Sequence, residues 1–375
     1  MRGMKIVTIV GARPQFIKAA AISRALRERR QAVGAGAPVE RIVHTGQHYD
    51  RNMSEVFFEE MDIPKPDYNL EIAGGSHGQM TGRMLEAVEA VLVQEKPDWL
   101  LIYGDTNSTL AGALAAAKLH IPVAHVEAGL RSFNMRMPEE VNRILADRVS
   151  TLLFCPTSTA VANLQAEGVR EGVHDVGDVM YDVSLFYRDL ALQRSTVLDE
   201  LKLAEGNYVL ATCHRAENTD DPLRLRGIVE ALAVIARQVP VVLPLHPRTR
   251  KLLAEQGLAG ALGAVKVVDP VSFLDMVRLE QSAQAIVTDS GGVQKEAYFF
   301  GVPCLTTRDE TEWVETVEAG WNRLVGADAA TIVSAYAALQ RPAARPLLYG
   351  DGHAAERILD LLERHRRQDA SAVTA

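Results

Sequence analysis

The sequence predicts an α/β protein of two doubly wound parallel-sheet domains facing each other across a cleft. Three observations predict it. Short runs rich in Val, Ile and Leu are apolar enough to be buried on both faces, as parallel strands are. Alanine- and leucine-rich stretches with helical spacing follow these runs, and strict alternation winds a parallel sheet by right-handed crossovers. The pattern then repeats within 375 residues, enough chain for two or three domains.

In the first half, strands are expected at 5–10, 41–45, 99–103, 123–127, 152–156 and 173–176, with helices at 14–29, 78–95, 108–119, 138–148 and 157–166. Pro14 and Pro138 each suit the first position of a helix. Residues 178–206 form the joint, giving domains at 1–177 and 178–352. The second half has strands at 208–212, 241–244, 265–268, 285–288 and 302–305, and helices at 223–237, 273–281 and 293–300. A closing helix at 353–367 can pack on either half, and 368–375 reads as a disordered tail.

Composition excludes several function classes. A formal charge of −8 with no basic run argues against a nucleic-acid surface. Cys155, Cys213 and Cys304 lie far apart in apolar contexts, which suggests neither disulfides nor a zinc site and fits a reducing compartment. Residues 6–10 are too short for a signal-peptide core, and no 18-residue uncharged apolar stretch exists. The expectation is a cytoplasmic protein with no membrane span.

Chemistry concentrates where strands end, the place where open α/β sheets bind ligands. Asp105 in Tyr103-Gly104-Asp105-Thr106, Glu127 in His125-Val126-Glu127-Ala128-Gly129 and Glu139 in Pro138-Glu139-Glu140 are the candidate proton-transfer acids. Each also has a bland reading: Asp105 as a helix cap, Glu127 as the partner of Arg131, Glu139 as an acid favoured by a helix dipole. Ser290, Gly291 and Gly292 open a helix whose free amides suit a phosphate, and Glu296 lies a turn further in, placed to accept from a ribose diol. The alternative is an ordinary glycine-rich turn with a serine cap. Arg13 and Lys18, after the first strand, add positive charge at the cleft mouth, or are solvated side chains behind a capping turn.

His214 follows a strand and reads as a general acid, a phosphate ligand or a hydrogen-bonded loop histidine; His246 has similar placement and weaker support. His44, His48, His125 and Glu127 do not share a helix face, so no metal is expected. Neither glycine motif is the GxGxxG fingerprint, so no nicotinamide or flavin cofactor is expected.

Six ordered motifs over nearly the whole chain resemble the non-hydrolysing UDP-N-acetylglucosamine 2-epimerases. They are Gly11-Ala12-Arg13-Pro14 with Lys18, Gly104-Asp105-Thr106, His125 to Arg131, Pro138-Glu139-Glu140 with Asn142-Arg143, His214-Arg215 with Glu217-Asn218, and Thr288 to Gly292 with Gln294 and Glu296. The resemblance implies the glycosyltransferase-B architecture, two Rossmann-like domains around a UDP-sugar cleft. It implies UDP against Ser290, Gly291, Gly292 and Glu296, with Arg13 and Lys18 reaching in from the first domain. It implies proton transfer by Asp105, Glu127 and Glu139, assisted by His214, in a homodimer that needs no cofactor. UDP leaves C1 as the C2 proton is removed, and the resulting 2-acetamidoglucal takes UDP back with C2 reprotonated on its other face. UDP-N-acetylglucosamine is the first choice of substrate, and UDP-2,3-diacetamido-2,3-dideoxyglucuronate the alternative. A glycosyltransferase, a hydrolysing epimerase and a nucleotide-sugar-binding regulatory module are the rival readings.

Two residues depart from the family pattern. Gln15 stands where many members have glutamate, and Trp313 where many have arginine. The first is expected to remove a negative charge from the cleft edge, easing binding of an acidic sugar. The second removes a positive charge, with the opposite effect.

Overall fold

The computed structural model describes residues 3–46 and 63–372. Contacts divide the chain into two units, Met1–Val183 with Leu348–Ala375 and Ser184–Leu347.

The first unit holds a seven-stranded sheet of β1 (Lys5–Val10), β2 (Val39–His44), β3 (Tyr68–Asn69), β4 (Trp99–Tyr103), β5 (Val123–Val126), β6 (Leu152–Cys155) and β7 (Val173–Asp175). Their order is β3-β2-β1-β4-β5-β6-β7, and every pairing is parallel. The chain winds outward from β1 to β3, returns to β4 beside β1, and winds the other way. The order therefore reverses between β1 and β4, where such sheets open a ligand crevice. All five residues of β4 are buried, as a strand covered on both faces requires.

The second unit repeats the device with β8 (Val209–Thr212), β9 (Val241–Pro244), β10 (Lys266–Val268), β11 (Ala285–Thr288), β12 (Cys304–Thr306) and β13 (Asn322–Leu324). The order β10-β9-β8-β11-β12-β13 reverses between β8 and β11. Its largest apolar cluster joins β8, β9 and β11 to the Pro222–Ile235 helix through Val209, Val241, Val287, Ile228 and Leu232.

Several elements differ from the sequence expectation. The stretch read as the joint, 178–206, holds a helix, Val179–Arg194, inside which the two units divide. The Pro247–Glu255 and Ala329–Ala337 helices were not expected; both are short and opened by caps, His246 and Asp328, rather than by long apolar periodicity. Strands β3 and β13 are two and three residues long, too short for an alternating pattern to declare itself. The closing helix runs from Ala354 to Ala372, past the expected end, through residues with no helix breaker. It packs on the Arg13–Val33 helix, where Arg29 pairs with Asp360 and with Glu363 at 2.9 Å.

Candidate active site

In the first unit the ends of β1 and β4 are clamped together by one side chain. Gln15 is 3% exposed; its Oε1 accepts from the Gly11 amide at 2.7 Å, and its Nε2 donates to the Tyr103 carbonyl at 2.7 Å. This corrects the sequence reading of Gln15 as a charge-determining residue at the cleft edge. It is a buried bridge that accepts at one end and donates at the other, the second of which an ionised glutamate could not do. Gly11 is required here: a Cβ would come within 2.0 Å of Ser108 Oγ and 2.6 Å of Thr45 Oγ1.

The clamp positions the turn at Gly104, whose φ of +62° presents Asp105. The Asp105 carboxylate pairs with Arg143, and its carbonyl accepts from Asn142 Nδ2 at 2.9 Å. Arg143 also bonds Glu140 Oε2 at 2.8 Å. Glu140 is 1% exposed. Against its burial, the Ser132 and Phe133 amides and Arg143 hold its carboxyl below the usual range. Glu140 thus anchors the loop after Arg131, while its neighbour Glu139 stands exposed in the first turn of the Pro138–Val149 helix.

Glu127 follows β5 with φ +70°, a left-handed conformation costing a non-glycine residue about 1–2 kcal/mol. Its carboxylate pairs with Lys18 from the Arg13–Val33 helix, and both side chains are nearly buried, at 11% and 14% exposure. Burial alone would lower the lysine pKa; Glu127, then Asp178 and Asp105, outweigh it and keep the ammonium charged. Lys18, expected as an anion contact, is therefore engaged with an acid. Arg13 begins the same helix and is exposed. Arg131 does not neutralise Glu127: it pairs with Asp147 at 2.8 Å and Glu167 at 2.6 Å.

The second unit uses a carboxylate where the first uses an amide. Asp289, fully buried after β11, accepts from the backbone of His214 at 3.0 Å and Arg215 at 3.0 Å, and from Asn218 Nδ2 at 3.3 Å. It joins β11 to the turn after β8 and leaves the His214 ring half exposed, its Nδ1 3.3 Å from Asp289 Oδ1. Ser290 caps the Gly291–Phe300 helix, accepting from Val293 N at 3.4 Å. A methyl at Gly291 would come within 2.3 Å of Glu312 Oε1 and 3.5 Å of Trp313 Nε1, whereas at the exposed Gly292 it would meet Ser290 Oγ and Glu296 Oε2 only at 3.8 and 3.9 Å.

One turn in, burial pushes the Glu296 carboxyl up to about 7, against the pull of Lys295. Lys295 Nζ lies 4.2 Å from the Trp313 ring centroid, a cation–π distance. Where the family often has arginine, this chain thus seats an indole over a neighbouring ammonium. Arg308 and Arg215 lie near Glu312, at 2.9 and 3.9 Å.

The remaining histidines divide plainly. His246 Nδ1 accepts from Arg248 N at 3.2 Å, which makes it the cap of its helix. His44 packs edge-on against Phe16, and burial lowers its pKa. His48 lies outside the described residues. Among the described residues no three His, Cys, Asp or Glu side chains cluster as a metal would need.

The sequence profile described as UDP-N-acetylglucosamine 2-epimerase matches residues 35–363. The chain belongs to this family. It is 57% identical over 365 residues to the UDP-2,3-diacetamido-2,3-dideoxy-D-glucuronate 2-epimerase of Pseudomonas aeruginosa, covering 96% of this chain and 99% of that protein. Its fold matches Methanocaldococcus jannaschii UDP-GlcNAc 2-epimerase in complex with UDP-GlcNAc and UDP, with a TM-score of 0.81 and 43% identity over 96% of this chain and 100% of that one. The Neisseria meningitidis UDP-GlcNAc 2-epimerase bound to UDP-GlcNAc gives 0.82 and 31% over the same shares, 96% and 100%. Family membership and the two doubly wound sheets are thus as the six motifs implied. Arg143 and Asn142 carry more than the sequence reading assigned them; the available signal was their place one turn beyond Glu139 on the same helix.

Proposed function

We propose that the protein is a non-hydrolysing isomerase that inverts C2 of a UDP-2-acetamido sugar. The observation that carries this reading is the pair of carboxylates at the carboxyl edge of the first sheet, Glu127 beside Lys18 and Asp105 beside Arg143. Inversion needs proton-transfer groups for both faces of C2, and a binding module or a simple transferase needs no such pair. We assign proton transfer to Asp105, Glu127 and Glu139 with help from His214, and the nucleotide to Ser290, Gly291, Gly292 and Glu296 with Arg13. Lys18 is assigned to Glu127, whose charge it supports.

The C2 hydrogen is only weakly acidic, so its removal accompanies or follows departure of UDP. The C2–H electrons form the C1=C2 bond of a 2-acetamidoglucal, and the C1–O electrons leave on UDP. Return of UDP to C1 and of a proton to the other face of C2 completes the inversion. The helix-end amides and cations stabilise the leaving diphosphate, an effect that is commonly the largest single term. In heavy water, with no acceptor, metal or nicotinamide added, the protein should place deuterium at C2 and yield two UDP-sugars. Free sugar accumulating with UDP, or an unlabelled C2, would overturn this reading.

Of the two sugars, the 57% identity to the Pseudomonas aeruginosa protein favours the diacetamido-glucuronate over UDP-N-acetylglucosamine, the first choice from sequence. The charge argument no longer decides between them, since Gln15 is a buried clamp and Lys295 supplies a cation beside Trp313. Side-by-side kcat/KM values test this; a tenfold preference corresponds to about 1.4 kcal/mol of transition-state binding. We also propose a cytoplasmic homodimer. Three buried free cysteines fit a reducing compartment, and light scattering checks the oligomer. Among the described residues no helix is long and apolar enough to cross a membrane.

A further inference from the structure

The fully buried His125 lies near the end of β5, two residues before Glu127. Its Nδ1 is 2.7 Å from Asp147 Oδ1, and its Nε2 is 2.7 Å from the Gly104 carbonyl oxygen. A carbonyl only accepts, and so does an ionised carboxylate. Burial opposes ionisation of Asp147, but the bonds from His125 and Arg131 outweigh it and hold the carboxyl below its usual range. The Gly104 carbonyl therefore takes its bond from Nε2–H, and the ring spans the two partners.

Asp147 extends the connection. Its Oδ2 accepts from the Gly129 amide at 3.2 Å and from Arg131 Nη1 at 2.8 Å. Gly104 and Gly129 have φ of +62° and +79°, and they flank the two candidate acids in sequence: Gly104 precedes Asp105, and Gly129 lies two residues after Glu127. Both turns thus depend on hydrogen bonds, through carbonyl and amide respectively, to one buried histidine–aspartate pair.

We propose that His125 is a positioning residue for proton transfer, fixing the turn that carries Asp105 against the turn that carries Glu127. This rests on the assignment of those two acids above. A side chain that reaches only one of the two partners leaves Gly104 or Asp147 without its bond. Freeing the Gly104 carbonyl lets Asp105 move relative to Glu127, and a displacement near 1 Å costs on the order of 100-fold in rate. Neither bond reaches the Gly291–Phe300 helix end assigned to UDP.

Two variants separate the bonds. In His125→Asn the amide nitrogen takes the place of Nδ1, keeping the donor to Asp147 and losing the one to Gly104. In His125→Gln it takes the place of Nε2, with the reverse effect. The expected result is a fall in kcat, and in C2 deuterium uptake, of roughly 10- to 100-fold for His125→Asn. His125→Gln should keep at least several times more activity, with KM and UDP affinity little changed in both. Equal losses in the two variants, or losses that follow thermal stability or KM, would reduce His125 to a core histidine.

A measurement on the unaltered protein serves should both variants fail to fold. With nitrogen-15 histidine, NMR should show hydrogen on Nε2 of His125, the nitrogen that faces the Gly104 carbonyl; a bare Nε2 overturns the proposal. If the unaltered protein takes up no deuterium at C2, the epimerase reading itself fails. If it does so and the two variants match, only the positioning role fails.

Discussion

The two sheets reverse their strand order in the same way, yet the groups at the two reversal points are of opposite kinds. In the first unit a neutral amide, Gln15, ties the strand ends, and the charges beside it come in pairs, Lys18 with Glu127 and Arg143 with Asp105. In the second a carboxylate, Asp289, gathers the strand-end amides, and beyond it lies a helix end with an exposed glycine, Gly292. The two units therefore offer a ligand different atoms. One presents side-chain acids and bases in fixed pairs; the other presents backbone amides suited to an anion. On the proposed assignment, one topology serves two chemistries, set by a few side chains at the strand ends.

The largest effects should come from breaking the paired charges. Glu127→Gln and Asp105→Asn are each expected to lower kcat by roughly 100-fold or more, the usual scale for lost acid–base groups. Steady-state kinetics with either UDP-sugar would show it, and near-normal turnover would remove these acids from the mechanism. Lys18→Met should follow with a smaller loss in kcat, since it takes away only the partner of Glu127.

Exchanging the two clamps sharpens the comparison. Gln15→Glu loses the donor to the Tyr103 carbonyl, and Asp289→Asn loses an acceptor for the His214 and Arg215 amides. Each should cost about 1–3 kcal/mol of stability, the penalty for a buried polar group left unsatisfied. Denaturant unfolding would measure it. If either exchange is neutral, the clamp it tests is not specific to its chemistry.

The smallest effect concerns pH. Burial raises the folded Glu296 carboxyl from 4.5 to about 7, so any stability it lends is full below 4.5 and is lost as pH rises through about 7. For ligand binding the sign reverses, because the ionised form is the better acceptor for a ribose diol. UDP affinity should therefore rise severalfold from about pH 6 to 8 in the unaltered protein, in excess of the rise in Glu296→Gln. Taking the difference between the two proteins cancels the titration of the UDP phosphate itself. Parallel pH profiles would mean that Glu296 does not meet the nucleotide.

Most of this arrangement was legible in the sequence because parallel strands are apolar throughout and their ends are marked by glycine and acid. Strands β1, β4, β9 and β11 fell where the apolar runs placed them. What escaped depends on distant partners. Gln15 lies 88 residues from Tyr103, and Lys18 lies 109 from Glu127, so no local pattern reveals either bond. The role proposed for His125 was hidden because its two bonding partners, Gly104 and Asp147, lie 21 and 22 residues away. The Pro247–Glu255 helix was hidden by its polar composition, and Trp313 by the lysine that neighbours it only in three dimensions.

On the proposed assignment the three proton-transfer acids lie in the first unit and the helix end that takes UDP lies in the second. This division is tested most directly by titrating UDP calorimetrically into Glu127→Gln and Glu296→Ala while following C2 deuterium uptake in both. Glu127→Gln should lose exchange by about 100-fold and bind UDP as the unaltered protein does, whereas Glu296→Ala should bind UDP more weakly. Loss of UDP affinity in Glu127→Gln matching its loss of exchange would contradict it.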